Sequence, residues 1–146
     1  MARLLFILNL IFILSSGFVR AQDTIPLNVI RNEKSVPSEM NMDQLKAVLR
    51  GEKLRWNDGV KVSIALMKTN TDVGVKTCER IYNMTANELN KYFLALVFQG
   101  KVKAPTFFSS HSDLEEYVAQ TPGAIGVVEH TEKELNIITV DGKKQI

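Results

Sequence analysis

Across residues 24–140 the apolar pattern switches period several times, from near-alternation to a repeat of three to four residues and back. A stretch repeating every two residues buries one face as a strand, and one repeating every 3.6 residues does so as a helix. A chain that interleaves the two packs helices against a sheet. Residues 24–30 are partly alternating and β-branched, which predicts a first strand, and residues 31–38, with Pro37, form a polar connection. Asn41 with Gln44 three residues later forms a capping-box signature. It opens a helix whose apolar face is Met42, Leu45, Val48 and Leu49, stopped at Gly51. Trp56-Asn57-Asp58-Gly59 is a tight-turn sequence leading into a strand over 60–67, with Val60, Val62, Ile64 and Leu66 expected on one face. A polar loop then precedes a helix over 73–82 with the stripe Val75, Cys78, Ile81 and Tyr82. Thr85 and Glu88 cap the strongest amphipathic pattern in the chain, carrying Leu89, Tyr92, Phe93, Leu96 and Val97 and ended by Gly100. Phe107 and Phe108 fall in the following loop. Ser112 with Glu115 opens a short helix bearing Leu114, Tyr117 and Val118, which Pro122-Gly123 breaks, and strands follow over 124–129 and 134–140. The order predicts a small three-layer α/β domain with a mixed sheet.

The first residues are of a different material. An apolar run over 4–18 follows Arg3, and Val19-Arg20-Ala21 closes it with small side chains at its first and third positions. A charged start, a short apolar core and a small-x-small site define a secretory signal peptide. The run is shorter than the roughly 20 residues a membrane span requires. The expectation is cleavage after Ala21, a periplasmic or secreted location, a domain over 22–146 and no membrane anchor after cleavage. Arg3 and Arg20 leave with the leader, so the excess of 18 basic over 16 acidic residues disappears and the remaining domain is neutral. A neutral domain has no global field for nucleic acid, and any anion site in it must be local. Cys78, the single cysteine, has no partner for an intrachain disulfide and reads as a small buried hydrophobe.

No catalytic constellation is present. Ser109-Ser110-His111-Ser112-Asp113 holds a serine, a histidine and an acid, but triad members converge from separate elements, so the stretch reads as a polar helix cap. His130 reads as solvated in a charged turn. Two histidines and one cysteine leave little for a metal centre, and no glycine-rich phosphate loop or nucleophile elbow occurs. The chain is therefore expected to be no enzyme and to need no cofactor. Binding physics concentrates in one place, the strand–loop–helix joint at Lys68, Thr69, Asn70, Thr71 and Gly74. Free N–H groups and the partial positive charge of a helix N terminus favour anions there, and Lys68 adds a full charge.

Three stretches resemble one family. Residues 42–53, with the Gly51-Glu52-Lys53 ending, lead to Trp56-Asn57-Asp58-Gly59; Val62-Ser63-Ile64-Ala65-Leu66 follows; and Pro122-Gly123-Ala124-Ile125-Gly126-Val127-Val128-Glu129 closes the set. In order and spacing they are similar to the periplasmic phosphate-binding proteins of ABC transporters. The resemblance covers nearly all of residues 24–140 and implies a single lobe of the type II periplasmic-binding-protein-like fold, where the family uses two lobes. It further implies a phosphate grip made by an Arg and by a Ser-Gly-Thr at a helix start. The matching positions here are Thr69 and Val73-Gly74-Val75, so only Gly74 is retained. Hydrogen bonds to a charged group contribute about 1.5–3 kcal/mol each, and losing two hydroxyls and a guanidinium leaves a weak grip.

Two functions follow from these residues. One is an exported, non-catalytic, solute-binding-like protein with a degenerate phosphate grip and weak affinity for a small anion such as phosphate. The other is an interaction or structural module of the cell envelope that kept the lobe, lost the ligand and docks an envelope protein.

Overall fold

The computed structural model describes residues 24–131 and 136–146. The leader expected over 1–21 lies outside them. The main sheet has four strands, β1 (Asn28–Arg31), β3 (Ser63–Met67), β4 (Thr106–Phe108) and β5 (Ala124–Val128), in the order β1-β5-β3-β4. β3 runs parallel to both β4 and β5, while β1 is antiparallel to β5, so the sheet is mixed as expected. Two short strands, β2 (Glu39–Met40) and β6 (Thr139–Val140), pair in parallel beside it. The helices are α1 (Met42–Leu49), α2 (Asp72–Thr77), α3 (Ala86–Phe98) and α4 (His111–Gln120), with a π-helical turn over Cys78–Tyr82 continuing α2.

Capping residues place the helices. Asn41 and Gln44 exchange reciprocal bonds at α1, with Gln44 N–H donating to Asn41 Oδ1 at 2.8 Å and Asn41 N–H to Gln44 Oε1 at 2.9 Å. Thr85 and Glu88 do the same at α3. At α4 the expected start is corrected. Ser110, not Ser112, is the cap, its Oγ accepting from Asp113 N–H, and Ser112 sits inside the first turn. A cap must hold an extended backbone, and Ser110 has it at φ −117°, ψ 136°.

Three further expectations shift. Phe107 and Phe108 belong to β4 rather than to a loop, because Thr106–Phe108 pairs with Ala65–Met67 of β3. Three residues are too few for a period to show in sequence. In β3 the face read as Val60, Val62, Ile64 and Leu66 reduces to its second half. The strand begins at Ser63, and Ile64, Ala65, Leu66 and Met67 are all buried, as in a central parallel strand covered on both faces. Val75 is 38% exposed, since the buried side of α2 and its π-helical turn is Val73, Gly74, Thr77, Cys78, Ile81 and Tyr82. In α3, Val97 is likewise exposed and Leu89 and Phe93 carry the burial. The last strand is short. Thr139–Val140 pairs with β2, Ile137 bridges to Ile30, and Glu134 and Leu135 lie outside the described residues.

The motifs at Trp56 and Gly123 meet in space. Trp56 is 4% exposed and its indole N–H donates to the Gly123 carbonyl at 2.8 Å. Gly123 has φ +77°, and a Cβ there would collide with the Lys61 carbonyl oxygen, which is why glycine precedes β5. Tyr82 is fully buried; its hydroxyl donates to Leu49 O at 2.9 Å, capping the last turn of α1, and Arg50 donates to Tyr82 O at 3.0 Å. Burial pushes the Tyr82 phenol far above its ordinary range and raises the Cys78 thiol. The expectation that Cys78 is a buried hydrophobe is met, with 2% of its surface exposed.

Candidate functional site

The connection from β3 through α2 and α3 reaches β4 on one side of β3, whereas the connection through α4 carries the chain back past β3 to β5 on the other. Parallel crossovers are right-handed, so connections that travel in opposite directions lie on opposite faces of the sheet. The loops after β3 and β4 therefore diverge at the carboxyl ends of adjacent strands. Such a switch point is where open α/β sheets hold ligands. The sequence-derived residues Lys68, Thr69, Asn70 and Thr71 form the first of these loops, and Lys68 N–H donates to Phe108 O at 2.9 Å, tying it to the second.

The joint is internally bonded. Thr71 caps α2 with its side chain accepting from Gly74 N–H at 3.0 Å, while the same hydroxyl donates to Lys68 O at 2.8 Å. Thr71 N–H also donates to Lys68 O at 2.9 Å. Gly74 is buried against this carbonyl, and a Cβ there would collide with it. So the glycine retained from the resembling motif is needed for close backbone approach, and its N–H already has an acceptor. Lys68 and Asn70 are exposed, Thr69 is half-buried, and Lys68 has no ion-pair partner among the described residues. Asp72 sets a carboxylate in the first turn of α2. A carboxylate in that turn meets the partial positive charge of the helix dipole that an anion would use. The joint thus offers one ammonium, one amide and the leading N–H groups of a short helix.

The two histidines, which sequence reasoning left apart as a cap and a solvated turn, are brought together at the same edge. His111 begins α4 and His130 follows β5; their rings stack with centroids 4.9 Å apart and planes at 23°. His111 Nε2–H donates to His130 O at 2.7 Å. They stand 19 positions apart in sequence, and only the parallel alignment of β4 and β5 about β3 sets their loops side by side. No local pattern signals that pairing.

Comparison with solved structures shows where this architecture recurs. PstS from Borrelia burgdorferi superposes with a TM-score of 0.61 at 16% identity, over 82% of this chain and 50% of that one. An ABC-type phosphate transport receptor from Vibrio cholerae superposes at 0.64 and 10% identity, over 83% of this chain and 48% of that one. The chain is similar in fold to part of each of these two proteins. This chain spans about half the length of each. No family model matches the sequence, and no curated protein matches it. Among the described residues no helix is long and apolar enough to cross a membrane, and no group of three or more metal-ligating side chains forms.

Proposed function

We propose that the protein is an exported, non-catalytic, solute-binding-like protein whose phosphate grip is degenerate. The observation that carries the reading is the combination of a fold similar to that of phosphate receptors with a joint in which Gly74 N–H already donates to the Thr71 hydroxyl and that hydroxyl to Lys68 O. Lys68, Thr69, Asn70, Thr71 and Gly74 are the proposed contact residues, with Lys68 the main source of attraction. The valines at 73 and 75 supply no hydroxyl, and Thr69 supplies no guanidinium. A helix dipole contributes about 0.3–1 kcal/mol to an exposed anion, and binding at millimolar strength corresponds to about 4 kcal/mol. Calorimetric titration with inorganic phosphate is expected to give no constant tighter than millimolar. A micromolar constant would overturn the degenerate grip and restore a transport receptor. Export after a leader over residues 1–21 is tested by the mass of the protein recovered outside the cytoplasm, expected to begin at Gln22.

A second reading, an interaction module of the envelope, draws on one feature. Leu94, Val97 and Phe98 lie at helical spacing on α3 and are 58%, 41% and 83% exposed. Apolar clusters on a surface commonly mark contact sites. Phe98→Glu is expected to abolish any specific pull-down of an envelope protein while leaving phosphate titration unchanged.

A further inference from the structure

The arrangement of the two histidines goes further than either reading of the fold. Imidazole suits zinc, copper and nickel, and a metal-binding histidine typically donates its second ring N–H to a backbone carbonyl, which fixes the tautomer. His111 has that arrangement. A carbonyl oxygen only accepts, so the 2.7 Å bond to His130 O places the proton on Nε2 and leaves Nδ1 of the neutral ring with a free lone pair. Neither ring nitrogen of His130 has a hydrogen-bond partner among the described residues. Two nitrogens on one tetrahedral zinc, each about 2.0–2.1 Å from the metal, lie about 3.4 Å apart. Stacked rings hold their in-plane lone pairs nearly parallel, so a shared metal requires the exposed His130 ring to swing out of the 4.9 Å stack toward Nδ1 of His111. Both residues have solvent access, His130 being exposed and His111 half-buried. The N-terminal dipole of α4 opposes a cation, and the Asp113 carboxylate in the same first turn offsets it.

We propose that His111 and His130 form a two-imidazole site for a borderline divalent transition metal, with His111 ligating through Nδ1 and the remaining positions open to water or an oxyanion. The histidines in this chain number two, and both are in the pair. The site does not depend on the Lys68 joint and stands whether or not that joint binds phosphate.

The test is titration of the purified protein with Zn2+ alone, by calorimetry and by 15N-resolved imidazole spectra. One zinc per chain is expected, with the coordination shift on Nδ1 of His111. His111→Gln keeps a donor for the His130 carbonyl and removes the ligand; His130→Phe keeps the stacked ring and removes the other. Each is expected to melt like the unsubstituted chain and to lose at least about tenfold in zinc affinity. Should His111→Gln unfold, His130→Phe with the imidazole spectra carries the test. Absence of zinc binding, an affinity unchanged in a folded variant, or imidazole resonances that do not move would each overturn the site.

Discussion

Substituting Gly74 by alanine separates the geometry of the joint from ordinary helix energetics, because the two give opposite signs. In an unconstrained helix interior, alanine is more favourable than glycine by about 0.8–1.0 kcal/mol. At Gly74 the added methyl would sit inside van der Waals contact of the Lys68 carbonyl oxygen, a backbone atom that cannot rotate away. The loop must retreat, and overpacking of this kind costs about 1–3 kcal/mol. Retreat also stretches the Thr71 hydroxyl bonds to Gly74 N–H and Lys68 O, now 3.0 and 2.8 Å, and loss of a cap costs about 1 kcal/mol. The balance is a destabilisation of about 1–3 kcal/mol. For a domain of this size it lowers the melting temperature by roughly 3–15 °C. The assay is urea and thermal unfolding followed by far-ultraviolet circular dichroism, with Thr71→Val as companion. Alone, Thr71→Val should cost about 1 kcal/mol. Combined with Gly74→Ala it should cost less than the sum, since both remove the same cap. A Gly74→Ala protein as stable as the parent, or more stable, would refute the account of a backbone-packed joint.

Tyr82→Phe removes the donor to Leu49 O at a fully buried site and should cost about 1–3 kcal/mol in urea unfolding. The Tyr82 phenol is raised in the folded state, so its contribution to stability is complete below the ordinary phenol value near 10 and is lost as pH rises above it. An ultraviolet titration should show one tyrosine that ionises only with unfolding. Cys78, buried and with its thiol raised, should resist a thiol reagent in the native protein and react stoichiometrically in urea; labelling at native rates would contradict its burial. Glu88 accepts from Thr85 N–H at the start of α3 and is lowered by that bond. Its contribution is present above the ordinary carboxylate range and lost as pH falls through the depressed value, so amide protection at the first turn of α3 should drop in acid.

Sequence alone determined the parts governed by neighbours in the chain. The caps Asn41 and Thr85 with their partners Gln44 and Glu88, the stops at Gly51 and Gly100, the β3 and β5 runs and the buried Cys78 all follow from residues within a turn or two of one another. So does the joint at residues 68–74, where a strand must end and a helix begin. The Trp56 and Gly123 motifs were visible as matching stretches, but the 2.8 Å bond between them was not, since they stand 67 positions apart in the chain.

Tertiary structure decided what depends on which strands lie adjacent. Thr106–Phe108 is a strand because β3 offers it an open edge, an alignment that no three-residue period announces. Val75 and Val97 look like core in a helical repeat and face solvent, because the buried side is set by what packs on it. The close packing of Gly74 against the Lys68 carbonyl, with its N–H held by the Thr71 hydroxyl, turns a residue that reads as ligand-facing into one that supports the loop. His111 and His130 became a pair because β4 and β5 both run parallel to β3 and end at one edge of the sheet. Local sequence fixes backbone propensity over a few residues; contact between distant side chains exists only once the sheet order has chosen the neighbours.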